Sequence, residues 1–584
     1  MSSSISITSK VDIMKKTEWR IRARRADFYG LAARFSISPY LARLMVNRGV
    51  NEEEFDEYLN GTLDHLPDPL LLKDMDRAAE ILLRKRDGHR KIRVIGDYDI
   101  DGICATYILL TGLREIGAEA DYDIPDRIQD GYGLNVNLVR RAKEEGADTI
   151  LTCDNGIAAL EEIREAKRLG MTVVVTDHHE VGHGEDGGEL LPEADAVVDP
   201  KRSDSTYPFR DICGAAVAWK LIGVLYEREG ISREKWMELL PFAAIATVGD
   251  VMPLRAENRK VVREGLKAVG RTKNVGLRKL TELCRLDPEN LTAFHIGFVI
   301  GPCLNAGGRL ESAKVGLSML LEPDPQKAEQ TAQHLKFLND ERKRMTNEGT
   351  EEAVRQAEEL YPDQNIQVIY LKNCHESVAG IIAGRLREHC YRPSIVLTDS
   401  ASEDCLKGSG RSIEAYHMFR GLEEVKDLLL KFGGHPAAAG LTIRRENLEE
   451  LRRRLNENAV FTEDQLTEKL WIDIELPFSR LTEEFLEELT RLEPCGQGNE
   501  KVMFAQRKVR ILDVRVMGKD RNVVKTRLMD QEGTEIDGII FRTDGETFMK
   551  EMGDRREFSI LYYPSVNEYM GRRTIQAVLQ GWKF

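Results

Sequence analysis

Four short β-branched runs constrain this chain more than any other feature. Ile92-Arg-Val-Ile, Thr149-Ile-Leu-Thr, Thr172-Val-Val-Val-Thr and Ala196-Val-Val fall in succession, with helix-length segments such as Cys104–Ile116 and Ala158–Leu169 between them. Short apolar strands separated by helices of this length predict a parallel, doubly wound sheet covered on its faces by helices. In an open sheet of that kind, the residues just beyond the strands gather at their carboxyl ends, where the ligand crevice lies.

Three of these strands run into acid. The first leads to Gly96-Asp97-Tyr98-Asp99-Ile100-Asp101-Gly102, the second to Cys153-Asp154-Asn155-Gly156, the third to Asp177-His178-His179. A further acid, Asp250, follows the apolar run Phe242-Ala-Ala-Ile-Ala-Thr-Val-Gly, where a helix could aim it into the same crevice. Taken singly, an Asp after a strand is ordinarily a helix N-cap and a His pair is ordinarily polar packing. Three successive strands ending this way at one edge is a different matter. Five or more carboxylates cannot share a crevice unless cations neutralise them, because each like charge raises the cost of ionising the next. Carboxylates with one or two imidazoles suit Mn²⁺ or Mg²⁺ better than a thiolate-bound zinc. The nine cysteines contain no C-x-x-C pair, and Asp97–Gly102 lacks the later Glu of a calcium loop. Two such ions, roughly 3.5–4 Å apart and bridged by a carboxylate, promote in-line attack of water on phosphorus.

The rest of the chain supplies context. Residues 1–90 read as a helical lead-in, with apolar positions at helical spacing in Tyr40–Arg48 and an acid-led helix from Asp74. The doubly wound domain with a helical extension spans 91–325, a charged connecting helix 326–361, a second α/β domain 362–462 and a β-rich domain 465–584. In Gly408-Ser409-Gly410-Arg411 the glycines would let backbone amides approach an anion and Arg411 could grip two phosphate oxygens, although a tight turn with a surface Arg fits too. Gly433-Gly434-His435 likewise reads as a turn with a buried His. The tail interleaves Arg507, Lys508, Arg510 and Arg515 with Phe504 and Phe541, as a groove that tracks a backbone and stacks bases would, or as the wet face of a sheet does. A net charge of −14 argues against a protein that coats nucleic acid electrostatically, while permitting a local basic groove. No apolar run approaches the roughly 20 residues that span a bilayer. The polar N-terminus lacks the order of a secretory signal, and the odd, scattered cysteines suit a reducing compartment. A cytoplasmic protein without membrane association is expected.

The acidic motifs, in this order, resemble the four motifs of the DHH phosphoesterase superfamily. Downstream, Gly301-Pro-Cys-Leu-Asn-Ala-Gly-Gly-Arg309, Gly408-Ser-Gly-Arg411-Ser and Gly433-Gly-His435-Pro-Ala-Ala-Ala-Gly440 resemble the RecJ family with its DHHA1 domain. Leu492-Glu-Pro-Cys-Gly-Gln-Gly-Asn499 and the tail after it resemble that family's OB-fold, so the match covers nearly the whole chain. The resemblance implies an α/β DHH domain on a doubly wound parallel sheet, a second α/β DHHA1 domain and a C-terminal OB-like β-barrel. It implies an exonuclease that degrades single-stranded DNA 5′→3′ to mononucleotides in DNA repair and recombination, using two Mn²⁺ or Mg²⁺ ions. Asp99, Asp101, Asp154, His178 and Asp250 match the metal ligands, with Asp154 as the bridge and Asp97 and His179 behind them. Arg127, Ser409 and Arg411 match residues that hold the 5′-terminal phosphate. Asn305 and Arg309 match substrate contacts, and His435 a donor to the substrate phosphate beside the metals. Single-stranded DNA is the implied partner, with a single-strand-binding protein and a helicase as candidate associates. Ile95 stands where some members carry a His, and Cys303 replaces the Arg of Gly-Pro-Arg-Leu-Asn. A further C-terminal domain found in longer relatives is expected to be absent.

Two other functions fit parts of the sequence. A DHH/DHHA1 phosphoesterase acting on oligoribonucleotides or cyclic dinucleotides would typically end after DHHA1, so the residues beyond 465 argue for a polymer. A non-catalytic single-strand-binding scaffold should have lost ligands, and this carboxylate set is complete.

Overall fold

The computed structural model describes residues 15–126, 133–184, 186–400, 404–518, 521–541, 545–569 and 571–584. They fall into two compact units. The larger comprises residues 21–308, 312–333 and 471–584, the smaller residues 309–311, 334–470 and the described residues before 21.

The larger unit holds the predicted parallel sheet. Its strands are β1 (Ile92–Ile95), β2 (Ala120–Asp123), β3 (Thr149–Cys153), β4 (Thr172–Thr176) and β5 (Ala196–Val198), in spatial order 2-1-3-4-5 and all parallel. β1, β3 and β5 are buried throughout, which is why they read as continuous apolar runs. The edge strand β2, Ala-Asp-Tyr-Asp, carries no such run and escapes the pattern. Arg93 of β1 holds it by donating to both oxygens of Asp121, at 2.5 and 2.8 Å.

Helices α1 (Ile100–Glu115), α2 (Val136–Glu144) and α3 (Leu160–Arg168) link the strands. α1 starts four residues before the expected Cys104, because the Asp99 side chain caps it. On one face, Leu138, Val139, Ile163 and Ala166 pack over Ile150, Val173 and Val175. On the other lie α4 (Gly214–Arg228), α5 (Leu240–Gly249) and α6 (Ala256–Gly270), of which α4 and α5 are buried along most of their length. Chain direction through the sheet reverses between β1 and β3, so the crevice of this α/β fold opens where Asp97 and Asp154 stand.

A 35-residue helix, α7 (Pro325–Glu359), begins in the larger unit and ends in the smaller. The smaller unit carries β6 (Gln367–Leu371), β7 (Ser394–Asp399), β8 (Cys405–Arg411), β9 (Leu429–Gly434) and β10 (Ala438–Arg444), in order 9-10-8-7-6. Only β6 and β7 are parallel to each other; the remaining pairings are antiparallel. Helix α8 (Glu376–Cys390) covers one face through Val378, Ile382 and Leu386, and Leu451 and Leu455 cover the other.

The tail forms a closed barrel from β12 (Phe504–Met517), β13 (Val523–Met529), β14 (Glu535–Phe541), β15 (Glu557–Tyr569) and β16 (Arg572–Lys583), with the short β11 (Ile474–Glu475) added in parallel to β12. Pairing of β12 with β15 closes the ring. The lead-in helices are not a separate piece. Leu41, Leu44, Met45 and Phe55 share one apolar core with Phe504, Val509, Tyr562 and Leu579 of the barrel. Phe504 is therefore fully buried and unavailable to stack on a base, contrary to the expectation for the tail. Phe541 is half exposed, while Arg507 and Arg515 lie against Glu475 and Asp513 at 2.7 and 2.9 Å.

This common core has a measurable consequence. Phe55→Ala removes a fully buried ring and should cost about 3–5 kcal/mol. In urea, the barrel and the lead-in helices should then unfold together at a lower midpoint; a barrel transition unmoved by the substitution would show two independent cores.

Candidate metal centre

Every strand of the parallel sheet leads into an aspartate: Asp97 after β1, Asp123 at the end of β2, Asp154 after β3, Asp177 after β4 and Asp199 after β5. Asp123 is neutralised by Arg141 and by Lys314, the latter at 2.7 Å. Backbone amides hold several of the acids nearer the centre, among them Asp97, which accepts from the Gly133 amide at 3.2 Å.

Asp99 fixes its own position by capping α1, its Oδ1 accepting from the amides of Asp101 at 2.9 Å and Gly102 at 3.2 Å. Asp101, in the first turn of α1 and fully buried, accepts from the amides of Gly214 and Ala215, both at 2.7 Å. It thus caps α4 from outside, since Cys213 at that helix's own N-cap makes no capping bond with its side chain. Asp154 adopts a left-handed φ of 59° as the chain leaves β3. The start of α4 lies directly against it: a Cβ on Gly214 would stand 2.7 Å from the Asp154 Cβ. Asn155 donates to the carbonyls of Ile95 (3.1 Å) and Cys153 (2.9 Å), tying the ends of β1 and β3 together. Asp177 accepts from the amides of Ile157, His178 and His179 and from His179 Nδ1 at 2.8 Å. Asp250 is the residue at which α5 stops.

These elements converge on His178. Its Nε2 lies 3.1 Å from Asp154 Oδ1, 3.4 Å from Asp101 Oδ2 and 3.7 Å from Asp250 Oδ2. Three donor triads result, each with its ligand atoms within 4.8 Å of one another: Asp97–Asp99–Asp154, Asp154–His178–His179 and Asp101–His178–Asp250. Asp154 and His178 each belong to two.

The electrostatics show what the cluster needs. Burial, reinforced by Asp99, pushes Asp97 up to about 8. Burial and the charges of Asp101 and Asp99 bring Asp250 to about 8 as well. Asp154 and Asp101 are raised by burial and by their acidic neighbours. Burial depresses His178. His179 goes the other way: although burial opposes it, the bond and charge of Asp177 lift it to about 9. Asp177 falls below the usual carboxylate range despite burial, because of the same partner. One ion pair thus stands beside a group of carboxylates that protons or metal ions must neutralise. The fit to divalent cations is good: the Oδ2 atoms of both Asp97 and Asp250 are buried without a hydrogen-bond partner. The donors are mainly carboxylate oxygens with imidazole, the set that suits Mn²⁺ or Mg²⁺.

The structure brings Asp97, Asp99, Asp101, Asp154, His178, His179 and Asp250 together. Asp97 and His179, which the resemblance placed behind the ligands, have donor atoms inside the triads. Arg127 lies outside the described residues. Ser409 and Arg411 belong to the smaller unit and share the face of β8 turned toward α8, where a Cβ on Gly380 would stand 2.9 Å from the Arg411 guanidinium. That segment is a central strand between β7 and β10 rather than a glycine loop or tight turn, so its amides serve the sheet, and Arg411 Nη1 donates to the carbonyl of Gly410 at 2.8 Å. His435 is exposed, not buried, in the turn between β9 and β10. Arg309 donates to the carbonyl of Ser377 at 2.9 Å. Asn305 is half-buried on the helix Gly301–Leu310 beside the buried Cys303, and Ile95 fills the core beneath α2.

Sequence reasoning missed Asp199, which burial and Asp177 push up to about 8. The rule that found the other acids would have found it, since it follows the fourth predicted run. It also missed Gly214, for which a single sequence holds no signal.

Comparison with known proteins agrees with this architecture. The DHH family N-terminal domain matches residues 91–247, the DHHA1 domain 363–460 and the RecJ OB domain 472–581. Fold and site together therefore define a DHH/DHHA1 protein with an OB domain of the RecJ type. The chain is 35% identical to the single-stranded-DNA-specific exonuclease RecJ of Bacillus subtilis, over 97% of its own length and 71% of that protein. To the protein of that name from Salmonella typhimurium it is 34% identical, over 97% and 99%. The crystal structure of RecJ in complex with Mn²⁺ from Thermus thermophilus matches with a TM-score of 0.82 at 27% identity, over 97% of this chain and 80% of that one. This chain belongs to the RecJ family.

Two measurements probe the site. Gly214→Ala should displace Asp154 and lower Mn²⁺ affinity roughly 10–100-fold, read by calorimetry, with the fold retained. In the chelated protein, Asp97 and Asp250 keep their protons to about 8, whereas the unfolded chain releases them near 3.8. The folded state binds more protons across that window, so their contribution to stability is present near pH 4 and is lost as pH rises through 8. The thermal midpoint of the metal-free protein should fall over this range, and fall less in Asp97→Asn.

Proposed function

We propose that this chain is a metal-dependent exonuclease that degrades single-stranded DNA 5′→3′ to mononucleotides. The observation that carries this reading is the sharing of Asp154 and His178 between donor triads, at the switch point of a chain of the RecJ family. Asp99, Asp101, Asp154, His178 and Asp250, with Asp97 and His179, would hold two Mn²⁺ or Mg²⁺ ions, with Asp154, which belongs to two of the triads, as the residue we assign to both. Bound there, such ions supply Lewis acidity, activating water and offsetting charge on the phosphoryl oxygens. The residues do the rest. Amide bonds to Asp99, Asp101 and Asp177 fix the donors before substrate arrives, and the Asp177 bond orients the His179 ring. The barrel supports selection of unpaired strands, as OB-folds do.

A carboxylate cluster has no inherent direction, so polarity must come from recognition of one strand end. Ser409 and Arg411, with Arg127, are the residues we assign to the 5′-terminal phosphate, and Asn305, Arg309 and His435 to further contacts along the substrate. Work in DNA repair and recombination within the cytoplasm, alongside a single-strand-binding protein and a helicase, fits this activity. Among the described residues no helix is long and apolar enough to cross a membrane.

The primary test compares 5′-labelled single- and double-stranded oligonucleotides with Mn²⁺, Mg²⁺ or EDTA. Single strands should be degraded only with metal, and Asp154→Ala should abolish turnover while leaving the circular dichroism spectrum intact. Near-normal hydrolysis by that variant at saturating Mn²⁺ would sink the assignment. Arg411→Ala should keep its metals but lose a 5′-phosphate over 5′-hydroxyl preference of roughly 10–100-fold, the worth of one charge-assisted hydrogen bond. Matched oligonucleotides differing only at that end measure it.

A further inference from the structure

The larger unit also contains a cationic cavity, built from residues other than those of the aspartate cluster. A cavity of about 320 Å³ opens where the lead-in, the start of α6 and the Leu492–Asn499 loop meet. Its cationic wall is formed by Arg48, Arg255, Arg259, Lys260 and Arg263. Arg48, Arg259 and Lys260 are more than nine-tenths buried. Cations so placed normally face carboxylates, yet among the described residues none forms an ion pair with Arg48, Arg255 or Arg259. These three donate instead to carbonyls or to an amide oxygen: Arg48 to Leu44, Glu500 and Asn499, Arg255 to Gly498, Arg259 to Tyr58, Arg491 and Leu492. Arg263 also donates to the carbonyls of Leu59 and Gly61. Of the two glutamates that line the cavity, Glu57 pairs with Lys260 and Glu54 accepts from the Asn51 amide.

Hydrogen bonds to carbonyls satisfy geometry without cancelling charge, so the wall keeps a net positive potential in a partly dry space. Burial holds Arg259 below its ordinary value, with Arg263 and Arg48 adding to the effect. The 15-residue helix α6 begins at the same wall, and no side chain caps it. The start of the helix adds the positive end of its dipole. Val50 and Phe209 add an apolar part to the same lining. A cationic wall, an uncapped helix start and an apolar patch around a space of this size fit a phosphate attached to a small flat ring.

We propose that this cavity is a non-catalytic binding site for a nucleoside 5′-monophosphate, its phosphate on Arg255 and the start of α6 and its base against Val50 and Phe209. The choice of ligand rests on the exonuclease reading, because that reaction releases this class of molecule. Arg255 is the discriminating residue: its side chain is exposed, so replacing it does not disturb the buried bonds made by Arg259.

The test is calorimetric titration of dTMP into the full chain in EDTA, with thymidine, inorganic phosphate and an unphosphorylated oligonucleotide as parallel ligands and exonuclease activity assayed on the same preparation. One saturable site is expected. It should be tighter for dTMP than for thymidine or phosphate alone, roughly tenfold or more weaker in Arg255→Glu, and unchanged in Arg411→Ala. No binding by an active preparation overturns the inference and leaves the exonuclease reading standing. Binding lost in Arg411→Ala but kept in Arg255→Glu also overturns it, as does equal affinity for thymidine and dTMP, or an oligonucleotide that binds the site in preference to dTMP. An inactive preparation that still binds dTMP through Arg255 would separate the two claims in the opposite sense.

Discussion

The structure turns on a concentration of negative charge that the fold creates and does not itself cancel. A parallel sheet sends the ends of all its strands to one edge, and here each strand leads into an aspartate. At the flank Asp123 is matched by Arg141 and Lys314. At the switch point Asp99, Asp101 and Asp177 are held by backbone amides, which orient an anion without supplying a full opposite charge. The result is a rigid set of oxygens whose ionisation is disfavoured until divalent cations arrive. Helix starts provide the rigidity: Asp99 caps α1, while Asp101 caps α4 across the chain and so draws Gly214 against Asp154.

The second constraint is mechanical. Arg259 of α6 donates to carbonyls of Tyr58, Arg491 and Leu492, and its guanidinium stacks 4.0 Å from the Tyr58 ring centroid. Asn499 closes the same joint, accepting from Arg48 and Tyr58 and donating to the carbonyls of Leu492 and Pro494. The Leu492–Asn499 motif, which in the sequence signals only an OB-fold, is therefore the seam joining lead-in, α6 and barrel. α5, which ends at Asp250, packs against α6 through Ala244 and Gly265, so the seam is continuous with the layer that presents the fourth acid. Such a joint relies on groups from distant segments meeting at once, and each of its donors is satisfied only when all of them do.

Much of the fold was legible because burial on both faces leaves a one-dimensional trace. β1, β3, β4 and β5 are apolar runs since helices cover the sheet, and the acids after them could be read off without knowing any angle. β2 was illegible for the complementary reason: at the edge it is half-buried, and Arg93 stabilises it by pairing with Asp121 rather than by apolar contact. The Gly408–Arg411 segment looked like a loop because glycine usually marks one. In the sheet these glycines instead permit close approach, Gly408 to Leu397 and Gly410 to Met418.

The sequence by itself determined the chemistry available to this protein: which strands end in acid, in what order, and that so many carboxylates at one edge require metal. It could do so because strand–helix alternation and residue type are local properties. Only the tertiary structure decided which donor atoms lie together, bringing those of Asp97 and His179 within the same triads, and joined the lead-in and the barrel into one core. Those outcomes depend on packing between segments far apart in the chain, where a glycine such as Gly214 matters for the Cβ it lacks, and such an absence leaves no periodicity to read.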